Sequence, residues 1–265
     1  MKEYRTDKSY QGILVIGDPH LESRIPGFRK DNYPQTVLGK LGWALDLADR
    51  EELLPLISGD LFHLPRNNPN WLLVEVVNLF LGREILGIYG NHDVHENKLS
   101  TDDSISVLAR SGHLLLLDNN FLVRTNIKGE EVIIGGTPWG ERLPKGMENI
   151  KDVNNKPGVI WLTHHDIIVP GYEEQGRVKP RDLPGIDLVV NGHIHRSLED
   201  VQKGATFWLT PGNISRRSRS DATRTHKPAV LCIHPRKDGF DYSHIQVPHQ
   251  DYEDVFYQAF GEQEP

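Results

Sequence analysis

"EILGIYGNHD", residues 84–93, joins an apolar run to a glycine, an amide, an imidazole and a carboxylate. The run "EILGIY" (84–89) predicts a buried strand, and "GNHD" (90–93) falls where that strand must end. Alone, Gly-Asn-His-Asp reads as a turn. Four other apolar runs end in a similar way. "GILVIG" (12–17) is followed by Asp18, Pro19 and His20, and "LLPLIS" (53–58) by Gly59, Asp60 and then His63. "GVIWLT" (158–163) is followed by His164, His165 and Asp166, and "DLVVN" (187–191) by Gly192, His193, Ile194 and His195.

The segments between the first runs have helical spacing. "YPQTVLGKLGWALDLADR" (33–50) repeats apolar residues at Val37, Leu38, Leu41, Ala44, Leu45 and Ala48, and "NPNWLLVEVVNLFLG" (68–82) predicts a second helix with proline near its start. The order β-α-β-α-β implies parallel strands joined by helical crossovers. "SISVLARSG" (104–112) predicts a further helix. Beyond it come short strand candidates split by Gly, Pro, Asn and Asp: "HLLLLD", "FLVRTN", "EEVIIGG", "ATFWLT", "AVLCIH" and "YSHIQV". The fold class is therefore α/β, with a second sheet packed on the first and helices outside. Residues 140–158 and 170–185 read as polar loops. One domain is expected over 1–250, followed by an acidic, partly loose C-terminal tail over 251–265.

Composition narrows the function. The chain has 265 residues, 37% hydrophobic and 25% charged, enough for one large domain with a sizeable core. A net charge of -7 argues against a generally basic nucleic-acid-binding surface, so any such contact needs a local patch or bound metal. The single cysteine, Cys232, rules out an intrachain disulfide. The polar start "MKEYRTDKSYQ" has no signal-peptide core, and no apolar run is long enough to span a bilayer. These features point to a cytoplasmic protein without membrane contact.

In α/β sheets, ligands bind at the carboxyl ends of strands. Carboxylate, amide and imidazole together suit Mn, Fe, Zn or Ni, whereas an all-oxygen set would suit Mg or Ca. Asp18-x-His20 and His193-x-His195 place two donors on one side if those segments are extended. Seven or eight donors are too many for one ion. They suit two ions sharing a bridging carboxylate, an arrangement that holds a water and a phosphate for in-line displacement.

"GDPH", "GDLFH", "GNHD", "THH" and "GHIH", in that order between residues 17 and 195, closely resemble the five motifs of the calcineurin-like metallophosphoesterase superfamily. The resemblance implies a four-layer αββα sandwich in which two mixed sheets are flanked by helices. It assigns Asp18, His20, Asp60 and His195 to one metal and Asp60, Asn91, His164 and His193 to the other, with Asp60 bridging. His92 matches the family's catalytic histidine. His165 competes with His164, and Asp93 either orients an imidazole or caps the segment after it.

Within the superfamily, "GDLFH" and the loop "TPGNISRRSRSD" (210–221) resemble the SbcD-type DNA repair exonucleases. That likeness implies that His63 helps His92 position the scissile phosphate. Arg216, Arg217 and Arg219, with Arg224 and Lys227 behind them, form a candidate grip on a nucleic-acid backbone. Trp139 is a candidate for stacking on a base. The nuclease branch carries a capping domain after the core, and this sequence ends about where that would begin. The expectation is a DNA exonuclease, a phosphodiesterase with two divalent ions, Mn2+ favoured, acting without an ATPase partner. A homodimer is compatible with the sequence. A phosphatase or phosphodiesterase for a small ester is the alternative, and a non-enzymatic scaffold is disfavoured because every ligand position and His92 are filled.

Overall fold

The computed structural model describes residues 2–147, 158–220, 224–236 and 239–258. The elements run β1 (Lys2–Tyr10), β2 (Gly12–Ile16), α1 (Tyr33–Arg50), β3 (Leu53–Ile57), α2 (Asn70–Phe80), β4 (Leu86–Gly87), α3 (Ser104–Arg110), β5 (Leu115–Leu116), β6 (Phe121–Ile127) and β7 (Glu130–Thr137). They continue with β8 (Gly158–Thr163), β9 (Leu188–Asn191), β10 (Val201–Lys203), β11 (Thr206–Leu209), β12 (Ala229–Arg236) and β13 (Gly239–Gln246), and a short helix spans Tyr252–Val255. Both long helices fall where the apolar spacing predicts them. The Asn32 side chain caps α1 by accepting from Gln35 N–H, and Pro34 occupies its first turn.

Among the described residues the strands form two mixed sheets. One has the order β1-β6-β7-β8-β9-β11-β10 and the other β13-β12-β2-β3-β4-β5. The second contains the predicted parallel series, with β2 on β3 and β3 on β4, and extends it by β4 on β5. The facing sides of the sheets bury Val15, Leu54, Leu56 and Ile88 against Val132, Ile134, Ile160 and Leu162. Strands covered on both faces read as continuous apolar runs, which is why "GILVI" and "LLPLI" show no alternation. The outer side of the six-stranded sheet packs Leu14, Ile16 and Ile57 beneath helix residues such as Leu41, Leu45, Val76 and Leu108.

The outer side of the seven-stranded sheet is covered differently. Trp161, Val189 and Trp208 pack under Ile167, Val169, Leu183 and Ile186, which lie on irregular chain. The flanking helices thus stand on one side of the sandwich among the described residues. The predicted loop at 140–158 is irregular through Met147, and the rest lies outside the described residues.

Two local readings change. The polar N-terminus forms strand β1, paired in parallel with β6 at the sheet edge. Its side chains are mostly exposed, so hydrophobic periodicity does not reveal it; Thr6 and Tyr10 point inward, and Thr6 Oγ1 bonds Thr125 Oγ1 at 2.9 Å. The acidic tail begins docked, with Tyr252, Val255 and Phe256 buried against Phe28. Residues 259–265 lie outside the described chain.

Trp161 is fully buried and donates to Thr137 Oγ1 at 2.8 Å. Trp161→Ala should cost roughly 3–5 kcal/mol in urea denaturation, from lost burial plus the cavity left behind. A loss below about 1 kcal/mol would mean that this irregularly covered face is not part of the cooperative core.

Candidate metal centre

The carboxyl ends of β2, β3, β4, β8 and β9 meet at one edge of the sandwich. After β2 and β3 the chains run on side by side: His20 N–H donates to the Asp60 carbonyl (2.9 Å), Leu21 to Leu61 (2.8 Å), and His63 back to Leu21 (2.9 Å). The two sheets are tied here as well. His164 Nδ1 bonds the Ser58 carbonyl at 2.8 Å, and His193 N–H donates to Asp18 Oδ1 at 2.8 Å.

Two overlapping groups of donors result. Asp18, His20, Asp60 and His195 offer ligand atoms within 4.8 Å of one another, and so do Asp60, His164 and His193. Asp60 belongs to both. Asn91 joins the second group, its Oδ1 standing 2.9 Å from His193 Nδ1 and 3.2 Å from His164 Nε2. A third group, His20, His63 and His92, adjoins the first.

Hydrogen-bond accounting shows that these atoms fit cations. His193 Nε2 is engaged by Asp166 Oδ1 at 2.7 Å, so its Nδ1 presents a lone pair toward Asn91 Oδ1, itself an acceptor. His20 Nε2 and His195 Nε2 face each other at 2.9 Å. The buried oxygens Asp18 Oδ2 and Asp60 Oδ2 have no hydrogen-bond partner among the described residues. Asp18, Asp60 and Asp93 are each fully buried. Acceptors crowded against acceptors, around three buried carboxylates, are what divalent cations satisfy.

The charges respond accordingly. Burial pushes Asp18 up to about 7, with the Asp60 charge adding to it. Burial acts to raise Asp60 too, but the His164 charge, with those of His20 and His92, outweighs it and holds the carboxyl well below its usual range. Burial would lower His164, yet Asp60 and Asp18 lift it to about 9.

The backbone is bent to achieve this. Asp18 (φ 38°), His20 (φ 50°), Asp60 (φ 48°) and His193 (φ 71°) all sit in the left-handed region, which costs non-glycine residues energy. The extended geometry expected for Asp18-x-His20 and His193-x-His195 is therefore not what is found. Asp18 and His20 share a group through left-handed bends, while His193 and His195 go to different groups. Two glycines are required sterically. A Cβ on Gly90 would lie 2.1 Å from Asp60 Oδ1, and one on Gly59 (φ +106°) 2.2 Å from His164 Nδ1.

The other sequence candidates separate clearly. His92 N–H donates to Asp60 Oδ1 (2.8 Å), and its Nδ1 bonds the His63 carbonyl (2.8 Å). The His63 ring stacks on His92 with centroids 4.8 Å apart. His165 turns away to the Glu141 carbonyl at 2.9 Å, leaving His164 in the cluster. Trp139 bonds Asn97 Oδ1 and stacks on His193 at 5.1 Å, so that face of the indole is taken by a candidate ligand. Among the described residues Asp93 neither orients an imidazole nor caps the following segment. It accepts from the backbone N–H groups of Leu61, Phe62 and Gly90, tying two ligand loops together.

The arginine loop is not brought together. A cavity of about 580 Å³ opens at the centre, lined by Asp60, Asn91, His92 and, from this loop, Arg216 and Arg217. Arg217 is half-buried and paired with Glu22 at 2.7 Å. The Arg216 guanidinium is buried and bonds the Gln250 carbonyl, and Arg219 bonds the Tyr257 carbonyl at 2.9 Å, on another part of the surface. Sequence reading named Asp166 without its His193 partner and missed Glu22 and Arg196, because each acts through a partner distant along the chain or through a backbone atom.

Residues 12–197 match the family described as calcineurin-like phosphoesterase, and the chain belongs to that family. Membership implies a hydrolase acting on phosphate esters. Comparison with curated protein sequences gives no significant match. Similar solved structures include a hypothetical protein of Thermus thermophilus (14% identity, TM-score 0.46, covering 89% of this chain and 99% of that one). They also include TT1561 of the same organism (12%, 0.46, 89% and 99%) and Vacuolar Protein Sorting 29 of Cryptosporidium parvum (14%, 0.34, 89% and 97%). Likenesses at that level carry no argument about activity. No helix among the described residues is long and apolar enough to cross a membrane.

Asp93→Asn would set an amide N–H₂ among three backbone donors. It should weaken divalent-metal affinity roughly 10–100-fold, as loss of supporting bonds to ligand loops does. Isothermal titration with Mn2+ reads this directly, and wild-type affinity in the variant would show that Asp93 does not position the ligands.

Proposed function

We propose that the protein is a dinuclear-metal phosphodiesterase that cleaves nucleic acid, with DNA the favoured substrate and Mn2+ the favoured metal. The observation that carries this reading is the stacking of His63 on His92 beside the donor clusters. It supports the pairing implied by the resemblance of "GDLFH" to the nuclease branch.

In this reading Asp18, His20, Asp60 and His195 hold one cation, and Asp60, Asn91, His164 and His193 the other. Bound there, two divalent cations supply Lewis acidity, lowering the pKa of water and neutralising phosphate oxygens. The protein's own groups do the rest. Asp166 fixes the His193 tautomer through Nε2, and the Ser58 carbonyl fixes that of His164 through Nδ1. The His63 carbonyl takes the Nδ1 proton of His92 as a hydrogen bond, so in the imidazolium form the proton available to a leaving oxygen is the one on Nε2. Burial, followed by the Arg217 charge, lowers His63 to about 4. His63 is then neutral near pH 7 and acts as a hydrogen-bonding and packing partner to the phosphate rather than a charge. Arg217, which lines the cavity and whose charge acts on His63, is placed to meet a backbone phosphate.

A second reading, a phosphodiesterase for a small ester, draws on one observation: Arg219 is directed elsewhere and the Arg216 guanidinium is buried, so the basic grip on a long backbone is thin.

The test is end-labelled single-stranded and duplex DNA with Mn2+, run beside bis-p-nitrophenyl phosphate. His92→Ala should slow DNA cleavage by about 10²–10⁴-fold, the usual contribution of a positioned acid. Arg217→Ala should impair DNA cleavage while sparing the small ester. Intact DNA with His92-dependent hydrolysis of the small ester would replace the nuclease reading with the second one.

A further inference from the structure

A second cavity, of about 530 Å³, lies behind the loop that walls the metal centre. It is lined by the first half of α1 (Gln35, Thr36, Gly39, Lys40 and Trp43), by Arg29 and Arg216, and by chain around Gln250. Arg29, Lys40 and Arg216 are 5%, 7% and 6% exposed. Three buried basic side chains thus meet in one place, and long charged side chains are almost never buried without partners.

Their partners fall short. Among the described residues Asp31 is the one carboxylate lining the cavity, and it is already engaged by two bonds from Arg29 (2.7 and 2.8 Å) and one from Thr36 (2.6 Å). Arg29 also lies over the Tyr33 and Phe256 rings, at 4.8 and 4.9 Å. Among the described residues Lys40 Nζ has only the Ile214 carbonyl, at 3.1 Å, and the Arg216 guanidinium bonds the Gln250 carbonyl. The buried Arg216 Nε has no hydrogen-bond partner among the described residues. Asp251 and Glu253 act on Arg216 from exposed positions, where water screens them. The first turn of α1 carries no acidic residue, so the positive end of its dipole adds to the field. Burial, together with the Arg216 and Arg29 charges, drives Lys40 down to about 7.

We propose that this cavity is a second anion site, separate from the metal centre, that binds a phosphoryl group, whether orthophosphate or the phosphate of a mononucleotide. Arg216 and Lys40 supply the charge, Arg216 Nε is at hand as a donor, and Trp43 forms an aromatic wall. The wall shared with the metal centre is the 213–217 loop: Lys40 and Arg29 hold its Ile214 and Arg216 carbonyls, while Asn213, Ser215 and Arg217 line the first cavity. The proposal does not depend on the nuclease reading.

The experiment titrates orthophosphate or AMP onto metal-loaded His92→Ala protein, so that ligand is not consumed, and reads tryptophan fluorescence against sodium chloride at matched ionic strength. Trp43→Phe in the same background identifies the signal from this cavity. The expected result is a saturable, Trp43-dependent change whose Kd weakens at least about tenfold in Lys40→Met, the loss of one charged hydrogen bond. Tighter binding of AMP assigns a mononucleotide, and equal binding assigns the phosphate alone. Should Lys40→Met not fold, Gln35→Glu places a competing carboxylate at the rim on an exposed helical position and should weaken phosphate similarly. A response that is independent of Trp43, reproduced by chloride, or unchanged in the folded variants overturns the proposal.

Discussion

The structure turns on Asp60, a carboxylate with no exposed surface at the point where both donor groups meet. A buried charge of this kind costs several kcal/mol unless cations and hydrogen bonds surround it. Everything nearby serves that requirement. His92 N–H donates to one oxygen, His20 and His164 approach the other at 3.6 and 3.3 Å, and a glycine at 90 leaves room for the first. The β2, β3 and β4 strand ends must arrive within a side chain's length of one another, and parallel pairing in one sheet guarantees it. The β8 and β9 ends reach the same point because the sandwich stacks the second sheet's carboxyl edge against the first.

Holding the ligands costs the backbone some strain. Four candidate ligands occupy left-handed conformations, and such outliers persist only where the surroundings over-determine them. Asp93 supplies much of that determination. A single carboxylate that collects three backbone N–H groups from two loops makes the Asp60 turn and the Asn91–His92 turn one rigid piece. His63 and His92 are then fixed relative to the metal donors by backbone contacts as well as by ring stacking. A proton donor and its neighbour are set in place before any substrate arrives, which is how positioned groups contribute most.

The loop after β11 serves both sides of its wall. Its sequence, rich in arginine, suggests one basic surface, but its residues diverge. Arg217 is held by Glu22 beside the metal centre, Arg219 reaches the C-terminal segment, and Arg216 turns inward toward Arg29 and Lys40. The acidic tail docks over this inner region through Tyr252, Val255 and Phe256, which joins the end of the described chain to the loop that borders the site.

The sequence by itself determined the α/β class, the two long helices, the five apolar runs and the donor residues at their ends. These signals are local: helical spacing, unbroken apolar strands, and polar residues placed directly after them. It also determined that His92 stands beside a metal-type ligand, since the two are adjacent in the chain. It could not separate His164 from His165, because adjacent residues differ in direction only once the Ser58 and Glu141 carbonyls claim their ring nitrogens. Strand β1 was hidden by its polar, edge-exposed side chains. The fate of the arginines and of Lys40, the cross-loop role of Asp93, and the Asp166–His193 pair were decided by tertiary structure alone. Each depends on a partner brought near by sheet pairing or packing, and burial, which sets the cost of every unpaired charge, does not exist until the chain has folded.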